Sequence, residues 1–336
     1  MSAPRLLITA SPHLAAGDST PRIMWNVVGS LVPILAAATY FFGPSAVLVV
    51  AAATAGAVVT EHSCGGKGTV GDGSAVITGI LLGLTLPAGL PLWMAFVGGA
   101  FGIGIGKLVF GGLGQNVFNP ALLGRAFLQA SFPVALTTFP APASAGDWWR
   151  LGGDNFALPF VTARALDAVT SATPLGRMKF EQAATPLSDL VFGSTSGSLG
   201  ETSGLLILLC GGYLALRNFL NWRIPASIFA TAALLATLLH ALDPARHSGA
   251  LFTLFSGGLM LGAMYMATDL VTSPVTNLGC WIFGAGVAVL VVVIRSWGGL
   301  AEGVMYSILI MNALVPYLNR CTQPRVFGSR PVRRAP

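Results

Sequence analysis

Ten apolar segments occupy most of this 336-residue chain, and they constrain its fold more than any other feature. Only 9% of the residues are charged, compared with about 25% in a typical soluble domain, whereas 54% are hydrophobic. A surface of this composition suits lipid better than water. Glycine is also abundant, at 42 residues, as in membrane helices that pack closely. The sequence therefore predicts an all-α polytopic membrane protein.

The number of apolar segments predicts how the chain is divided. A spanning helix needs about 20 apolar residues, and the candidates are residues 23–42, 45–61, 74–87, 91–110, 117–132, 204–220, 224–241, 249–268, 278–295 and 300–318. The third is too short to cross upright unless it is tilted or broken. Five spans precede a polar insert and five follow it, so the second half enters the membrane upside down relative to the first. We therefore expect about ten transmembrane helices in a 5+5 inverted repeat with broken helices.

Two proline-containing runs mark the expected breaks. Asn116–Ala121 opens the fifth span, and Asp269–Val275 follows the eighth. Proline lacks a backbone donor and disfavours helix at the residue before it. The predicted domains are an N-terminal membrane half at 1–132, an extracytoplasmic insert at 133–203, a C-terminal membrane half at 204–319 and a basic cytoplasmic tail at 320–336.

The basic residues predict the orientation. With the N-terminus in the cytoplasm, the inner side holds Arg5, Arg22, Lys67, Lys107, Arg217, Arg223, Arg320, Arg325, Arg330, Arg333 and Arg334. The short outer loops hold Arg246 and Arg295. By the positive-inside rule, both termini face the cytoplasm and the insert faces the periplasm or cell exterior.

Composition also bears on partners and metals. The net charge is +6, but the basic residues form no stripe with interleaved aromatics, so no nucleic-acid partner is expected. The cysteines have no C-x-x-C spacing and are interpreted as structural thiols, with a metal site shared between subunits as the alternative. The histidines share no ligand spacing, so we predict no metal. These residues are Cys64, Cys210, Cys280, Cys321, His13, His62, His240 and His247.

The insert contains the run Asp167-Ala168-Val169-Thr170-Ser171-Ala172-Thr173-Pro174. A threonine hydroxyl is a poor nucleophile alone, but an enzyme can modify it where the flanking chain is slim and extended. Ser171 and Ala172 are slim, and Pro174 favours an extended backbone at Thr173. Taken alone, the run fits an ordinary Ser/Thr turn equally well.

Two further runs can bind a ligand within the membrane. Gly111–Ala121 combines three glycines with the amides of Asn116 and Asn119, which suit the edge of a flavin or quinone. Asp269 lies at the end of a span, where a carboxylate is usually paired or functional. The two runs would share one pocket. The alternatives are a helix–helix turn capped by Asn119 and an interfacial cap at Asp269.

Other polar residues in the spans are weaker candidates. Glu302, Asn312 and Arg125 fall in this class, and Arg125 would snorkel or form a structural pair. Lys107 is expected at the membrane interface.

Together these runs resemble the D subunit of the Rnf electron-transport complex, which is similar to the B subunit of the sodium-pumping NADH:quinone reductase. The resemblance covers essentially the whole chain. It rests on Ser11-Pro12-His13 with Ser19-Thr20 and Ile23-Met24, Gly111–Ala121, Thr170-Ser171-Ala172-Thr173, Met266-Ala267-Thr268-Asp269 through Ser273-Pro274, and Glu302-Gly303 with Met311-Asn312-Ala313.

The resemblance implies two flavins. In this family FMN is linked through its phosphate to the last threonine of an Asp-x-x-(Ser/Thr)-(Gly/Ser)-Ala-Thr motif, by a separate flavin transferase on the outer side. Asp167, Thr170, Ser171 and Ala172 match that motif, and Thr173 takes the link. A second, non-covalent flavin (riboflavin in the related subunit) is implied at Thr78, Asn116, Asn119 and Asp269.

The resemblance also implies the activity. The chain would be a flavoprotein subunit in a bacterial inner membrane, passing electrons between ferredoxin and NAD, coupled to Na⁺ or H⁺ translocation. Flavin-carrying, iron–sulfur and NAD-binding sites would lie on partner subunits, and lipid would surround the spans. Electrons would pass between fixed cofactors, so no catalytic acid or base is expected here. The alternatives are a small-solute channel or transporter and a structural anchor subunit.

Overall fold

The computed structural model describes residues 18–65, 69–142, 148–149, 153–159, 173–183, 185–193, 195–244 and 247–324. Within these ranges all regular secondary structure is helical. In the described part of the chain, four helices are long and apolar enough to cross a membrane, and several shorter apolar helices accompany them. The prediction of an all-α, multi-pass membrane protein is therefore confirmed at this level.

The described residues of the first half form five α-helices. They are α1 (Thr20–Phe42), α2 (Pro44–Cys64), α3 (Ser74–Leu84), α4 (Leu92–Ile103), which continues as a π-helical turn (Gly104–Leu108), and α5 (Pro120–Ser131). A 3₁₀ turn, Thr69–Asp72, precedes α3. The third segment is short, as expected, because α3 ends at Leu84.

The insert contributes only short helices among its described residues. They are α6 (Pro133–Thr137), α7 (Pro174–Gly176) with a π-helical continuation (Arg177–Glu181), α8 (Leu187–Phe192) and a 3₁₀ turn (Leu199–Glu201). Lys179 fastens this segment to the second half, because its ammonium donates to the carbonyl oxygens of Gly298 at 2.5 Å and Leu300 at 2.8 Å.

The second half contains the remaining helices. They are α9 (Gly204–Leu216), α10 (Arg223–Leu242), α11 (Ala250–Phe255), α12 (Leu259–Leu261) with its π-helical continuation (Gly262–Met266), α13 (Asn277–Trp297) and α14 (Val304–Cys321). The eighth predicted span is therefore broken at residues 256–258, between α11 and α12. Each of the ten predicted segments coincides with helix, but a count of ten membrane crossings stays a prediction.

The helix starts follow from local sequence. Proline stands at the beginning of α1, α2 and α5, where its missing N–H is not needed. Asn119 caps α5, because its side-chain oxygen accepts a hydrogen bond from the N–H of Ala121 at 3.0 Å. Thr276 caps α13 in the same way, through the N–H of Gly279 at 3.1 Å.

The main hydrophobic core of the described residues includes residues of both halves. In the first half α2 packs against α3 and α4, and in the second half α10 packs against α11 and α13. The halves meet where α1 packs against α9 and α5 against α14. At the α2–α4 crossing, Gly56 lies against the carbonyl oxygen of Phe96, and Gly99 lies against that of Ala53. Such close approach of backbones is typical of membrane helices.

Candidate functional site

A cavity lies between the two predicted interruptions of the membrane halves. Its lining includes all four residues of the expected second flavin site: Thr78, Asn116, Asn119 and Asp269. The structure thus brings together residues that are up to 191 positions apart in the sequence. The prediction that the Asn116 and Asp269 runs share one pocket agrees with this geometry.

Asn119 ties the two interruptions to each other. Its side-chain oxygen caps α5, and its Nδ2 donates to the carbonyl oxygen of Met266 at 3.2 Å. In the amide orientation that satisfies both of its polar atoms, the buried Asn312 accepts from the N–H of Asn119 and donates to the carbonyl oxygen of Thr272. Asn119 therefore acts as the predicted helix cap and holds the cavity wall in place.

The other three candidates, Thr78, Asn116 and Asp269, also form hydrogen bonds within the protein, and Thr78 and Asn116 retain acceptors for a ligand. Thr78 donates to the carbonyl oxygen of Ser74 at 3.0 Å, and Asn116 Nδ2 donates to that of Phe118 at 3.3 Å. The Asp269 carboxylate accepts from the N–H of Val271 at 3.2 Å, which holds the chain in a turn after the span. The Asn116 amide oxygen and the Thr78 hydroxyl can thus still accept hydrogen bonds from a ligand.

The size of this cavity limits what it can take without rearrangement. Its free volume is about 100 Å³, which is below the roughly 300–1,000 Å³ of typical ligand pockets. A flavin ring would require lining side chains such as Leu113, Phe219 and Leu220 to move. The donor set suits a flavin edge, but the closed volume does not accommodate the ring as it stands.

Lys107 lies in a buried ion pair that the local sequence did not indicate. It is 3% exposed on the π-helical turn after α4, and its position at the membrane interface stays a prediction. Its ammonium lies 2.5 Å from Glu61 Oε1 and 2.6 Å from Ser74 Oγ, and it lines the same cavity. Glu61 on α2 is fully buried and neutralises the charge. This pairing was missed because its partners are 46 residues apart and each was assessed alone.

Thr173 is the last residue of the motif that the resemblance links to FMN, and it is the first described residue after position 159. Its backbone is extended, with φ −65° and ψ 155°, as expected before a proline. Its hydroxyl oxygen accepts a hydrogen bond from the N–H of Gly176 at 3.1 Å. An ester at this oxygen would keep that acceptor role and would place a phosphate at the start of α7. Asp167, Thr170, Ser171 and Ala172 lie outside the described residues.

A second cavity separates Thr173 from the membrane halves. Its free volume is about 110 Å³, and its lining includes Thr173, Arg125, Gln129, Glu201 and Glu302. The first cavity is lined by α3 residues from Ser74 to Leu81, and Arg125 of the second cavity donates to Thr85, just beyond the end of this helix. The two cavities therefore lie at different levels along α3.

Beside this second cavity, two arginines donate hydrogen bonds to the backbone carbonyl oxygens that are left free where α3 and α11 end. Arg125 on α5 donates to the carbonyl oxygen of Thr85, at the end of α3, and lies 3.3 Å from Glu302. Arg295 on α13 donates to the carbonyl oxygens of Thr253 at 2.7 Å and Ser256 at 3.0 Å, at the end of α11. Freed carbonyls at membrane depth need such partners. Arg125 thus forms a structural ion pair with Glu302, which is one of the two roles expected for it.

Glu201 is a site residue that the sequence did not reveal. It lies in the 3₁₀ turn before α9, and its carboxylate accepts a hydrogen bond from Ser198 Oγ at 2.6 Å. Burial, with a smaller effect of the nearby Glu302, raises the pKa of Glu201 to about 8. Only its position as the last acid before an apolar segment could have drawn attention to it.

Comparison with known proteins identifies the family. Residues 7–328 match the NQR2, RnfD, RnfE family. The chain is 42% identical over 330 residues to the D subunit of the ion-translocating oxidoreductase complex of Stutzerimonas stutzeri, with 93% of each chain covered. The chain belongs to this family. The family resemblance predicted from its motifs is therefore confirmed.

Two other relatives carry more specific names. The D subunit of the Na⁺-translocating ferredoxin:NAD⁺ oxidoreductase complex of Acetobacterium woodii is 40% identical, with 98% of this chain and 97% of the relative covered. The proton-translocating counterpart of Clostridium ljungdahlii is 38% identical, with 96% of each covered. The two names differ in the ion but the identities are nearly equal, so overall similarity does not select the coupling ion.

Proposed function

We propose that this chain is the membrane flavoprotein subunit of an Rnf-type ion-translocating oxidoreductase. It passes electrons between ferredoxin and NAD through FMN esterified to Thr173, coupled to Na⁺ or H⁺ translocation. The relatives named as ferredoxin:NAD⁺ oxidoreductase subunits support the class of activity. Ferredoxin and NAD bind to other subunits of the complex in this proposal, and a flavin transferase attaches the FMN.

The observation that carries the proposal is the placement of Thr173. Thr173 is half-buried, stands at the start of α7 and lines a cavity, and in this proposal a transferase reaches its hydroxyl. The cavity also contains Arg125, and the N–H of Gly176 points at the hydroxyl oxygen. Both groups favour a negatively charged phosphate ester. When bound, FMN supplies the one- and two-electron chemistry that side chains lack.

A second, non-covalent flavin occupies the cavity between the interruptions in this proposal. Thr78 and Asn116 present acceptors to the ring edge, and Asn119 and Asp269 hold the wall. Lys107 also lines this cavity, and its ammonium has a third N–H beyond those that bond to Glu61 and Ser74. The closed volume means that binding is accompanied by side-chain movement around Leu113 and Phe219.

The membrane arrangement forms part of the same proposal. We infer a bacterial inner-membrane protein whose two five-span halves form an inverted repeat, with cytoplasmic termini and a periplasmic insert. The pairing of α2 with α4 and of α10 with α13 supports the repeat, because these are the second and fourth spans of each half. The basic residues near the tail, such as Arg320, support the orientation.

The experiment compares purified complexes that carry Thr173→Ala and Thr137→Ala. Thr137 lines the same cavity and is the matched control. We expect Thr173→Ala to abolish ferredoxin-dependent NAD reduction while all subunits still copurify, because an intermediate electron carrier is lost. Thr137→Ala should retain activity within about twofold, as expected for a surface change.

The alternatives predict different results from the same pair of complexes. An intact complex with normal electron transfer after Thr173→Ala would support a structural anchor. Solute flux through the wild-type subunit in proteoliposomes, without bound flavin, would support a channel.

A further inference from the structure

Three charged side chains, Arg125, Glu201 and Glu302, line the cavity beneath Thr173, and a fourth, Arg295, lies at the helix break beside it. Glu302 lies 3.3 Å from the Arg125 guanidinium and also accepts a hydrogen bond from the N–H of Gly258. Arg295 donates to two backbone carbonyls of the same break. Glu201, by contrast, accepts from the Ser198 hydroxyl and forms no ion pair with any described residue. The carboxylate of Glu302 is therefore paired with a cation, and Glu201 is the member free to change its protonation.

The attachment segment and this charged cluster form one packed unit. Leu175, two residues after Thr173, packs against Gly257 so closely that a Cβ there would lie 2.5 Å from Leu175 Cδ1. Glu302 also contacts Gly257 and Gly258. A charge placed on Thr173 therefore lies across one small cavity from Glu201 and Glu302. Charges that share such a partly buried site interact more strongly than charges in bulk water.

Two buried hydroxyls lie next to the cluster in the chain. Thr202 Oγ1 follows Glu201 in the chain, and Ser256 Oγ precedes the Gly257 break. Neither has a hydrogen-bond partner among the described residues, although both side chains are at most 1% exposed. Buried hydroxyls are normally hydrogen-bonded, so each of these can bond to an ordered water.

We propose that Glu201 is a proton-binding site linked to the redox state of the group on Thr173. This inference rests on the proposed function. One electron reaches that group from a reduced iron–sulfur or flavin centre of a partner subunit, which is oxidised by one electron. One proton from water then binds a Glu201 carboxylate oxygen and forms an O–H bond. When the electron leaves, the proton returns to water.

The electrostatics of the site support this assignment. The charged and titratable groups facing Glu201 are Glu302, Arg125 and Arg295, with Tyr306 on the wall of the same cavity. Burial raises the pKa of Glu201 to about 8, so the carboxyl is neutral below that pH and ionises above it. A negative charge arriving at Thr173 raises this pKa further. The linked proton uptake therefore appears at about pH 8 and above.

The test is the pH dependence of the midpoint potential of the covalent flavin in the intact complex. In the wild type, we expect the potential to fall more steeply with pH above 8 than in Glu201→Gln, which cannot ionise. Below pH 8 the two curves should run parallel. Glu201→Asp should restore the steeper fall, and Glu181→Gln, an exposed acid of the same insert, should match the wild type.

The outcomes separate this inference from the proposed function. A fluorescent subunit whose wild-type and Glu201→Gln curves are parallel at every pH would overturn the proton site alone. A subunit without covalent flavin would overturn both proposals. If Glu201→Gln fails to assemble, infrared difference spectra of the wild type decide the matter. Reduction above pH 8 must then produce a protonated-carboxyl band that shifts in D₂O, and its absence would reject the proposal.

Discussion

At the scale of single residues, the buried charges of this protein are held in pairs or clusters. Glu61 and Lys107 form a pair with almost no solvent exposure, and Ser74 and Asp72 extend it by hydrogen bonds of 2.6 Å. Removing two charges from water is expensive, and their attraction repays this only when the geometry is good. The pair therefore fixes the position of the π-helical turn on α4 against α2.

We predict that Lys107→Met alone destabilises the protein by about 3–5 kcal/mol, because Glu61 would remain buried without a cation. The double variant Glu61→Leu with Lys107→Met should recover most of this loss, since both charges are then absent. Thermal unfolding of the purified protein in detergent measures both. A double variant that is no more stable than Lys107→Met would show that the pair does not act through charge neutralisation.

At the scale of helices, close crossing of backbones determines how each half is built. Gly56 on α2 and Gly99 on α4 lie against carbonyl oxygens of the facing helix. No side chain fits at either position without moving the helices apart. Because α4 carries Lys107 on its last turn, separation here would also disturb the first cavity.

We predict that Gly99→Ala destabilises the protein by about 1–3 kcal/mol, as is usual for overpacking in a core. Gly212→Ala on α9 is the control, because nothing lies within 4 Å of a Cβ at that position. It should be neutral or stabilising by up to about 1 kcal/mol, since alanine is the better helix former. Equal melting temperatures for the two variants would contradict the role assigned to the α2–α4 crossing.

The helices also show how far the sequence allows prediction. Apolar length gave the positions of the helices, and proline gave the interruptions at Asn119 and Pro274, because both signals are local. The break between α11 and α12 was not located, since glycines such as Gly257 and Gly258 are common in membrane helices. The pairing of Glu61 with Lys107 and the burial of Glu201 depend on which helices meet. Those contacts involve residues far apart in the chain, so no local pattern reveals them.

At the scale of the whole molecule, two cavities lie at different levels along α3. One is lined by Thr78, Asn116, Asn119 and Asp269, and the other by Thr173, Arg125 and Glu201. In the proposed function, a flavin at each cavity would let electrons pass between them through the protein. The cavities beside the broken helices therefore hold, in that proposal, the two flavins between which electrons pass.

The central claim is the covalent flavin on Thr173, and ultraviolet fluorescence of the denatured subunit on an SDS gel tests it most directly. The chain is expressed with its flavin transferase as wild type, Thr173→Ala and Thr137→Ala. We expect fluorescent bands for the wild type and Thr137→Ala and a dark band for Thr173→Ala. A dark wild-type band, with the transferase active on another substrate, would contradict the account. A fluorescent Thr173→Ala band would show that the flavin is attached elsewhere.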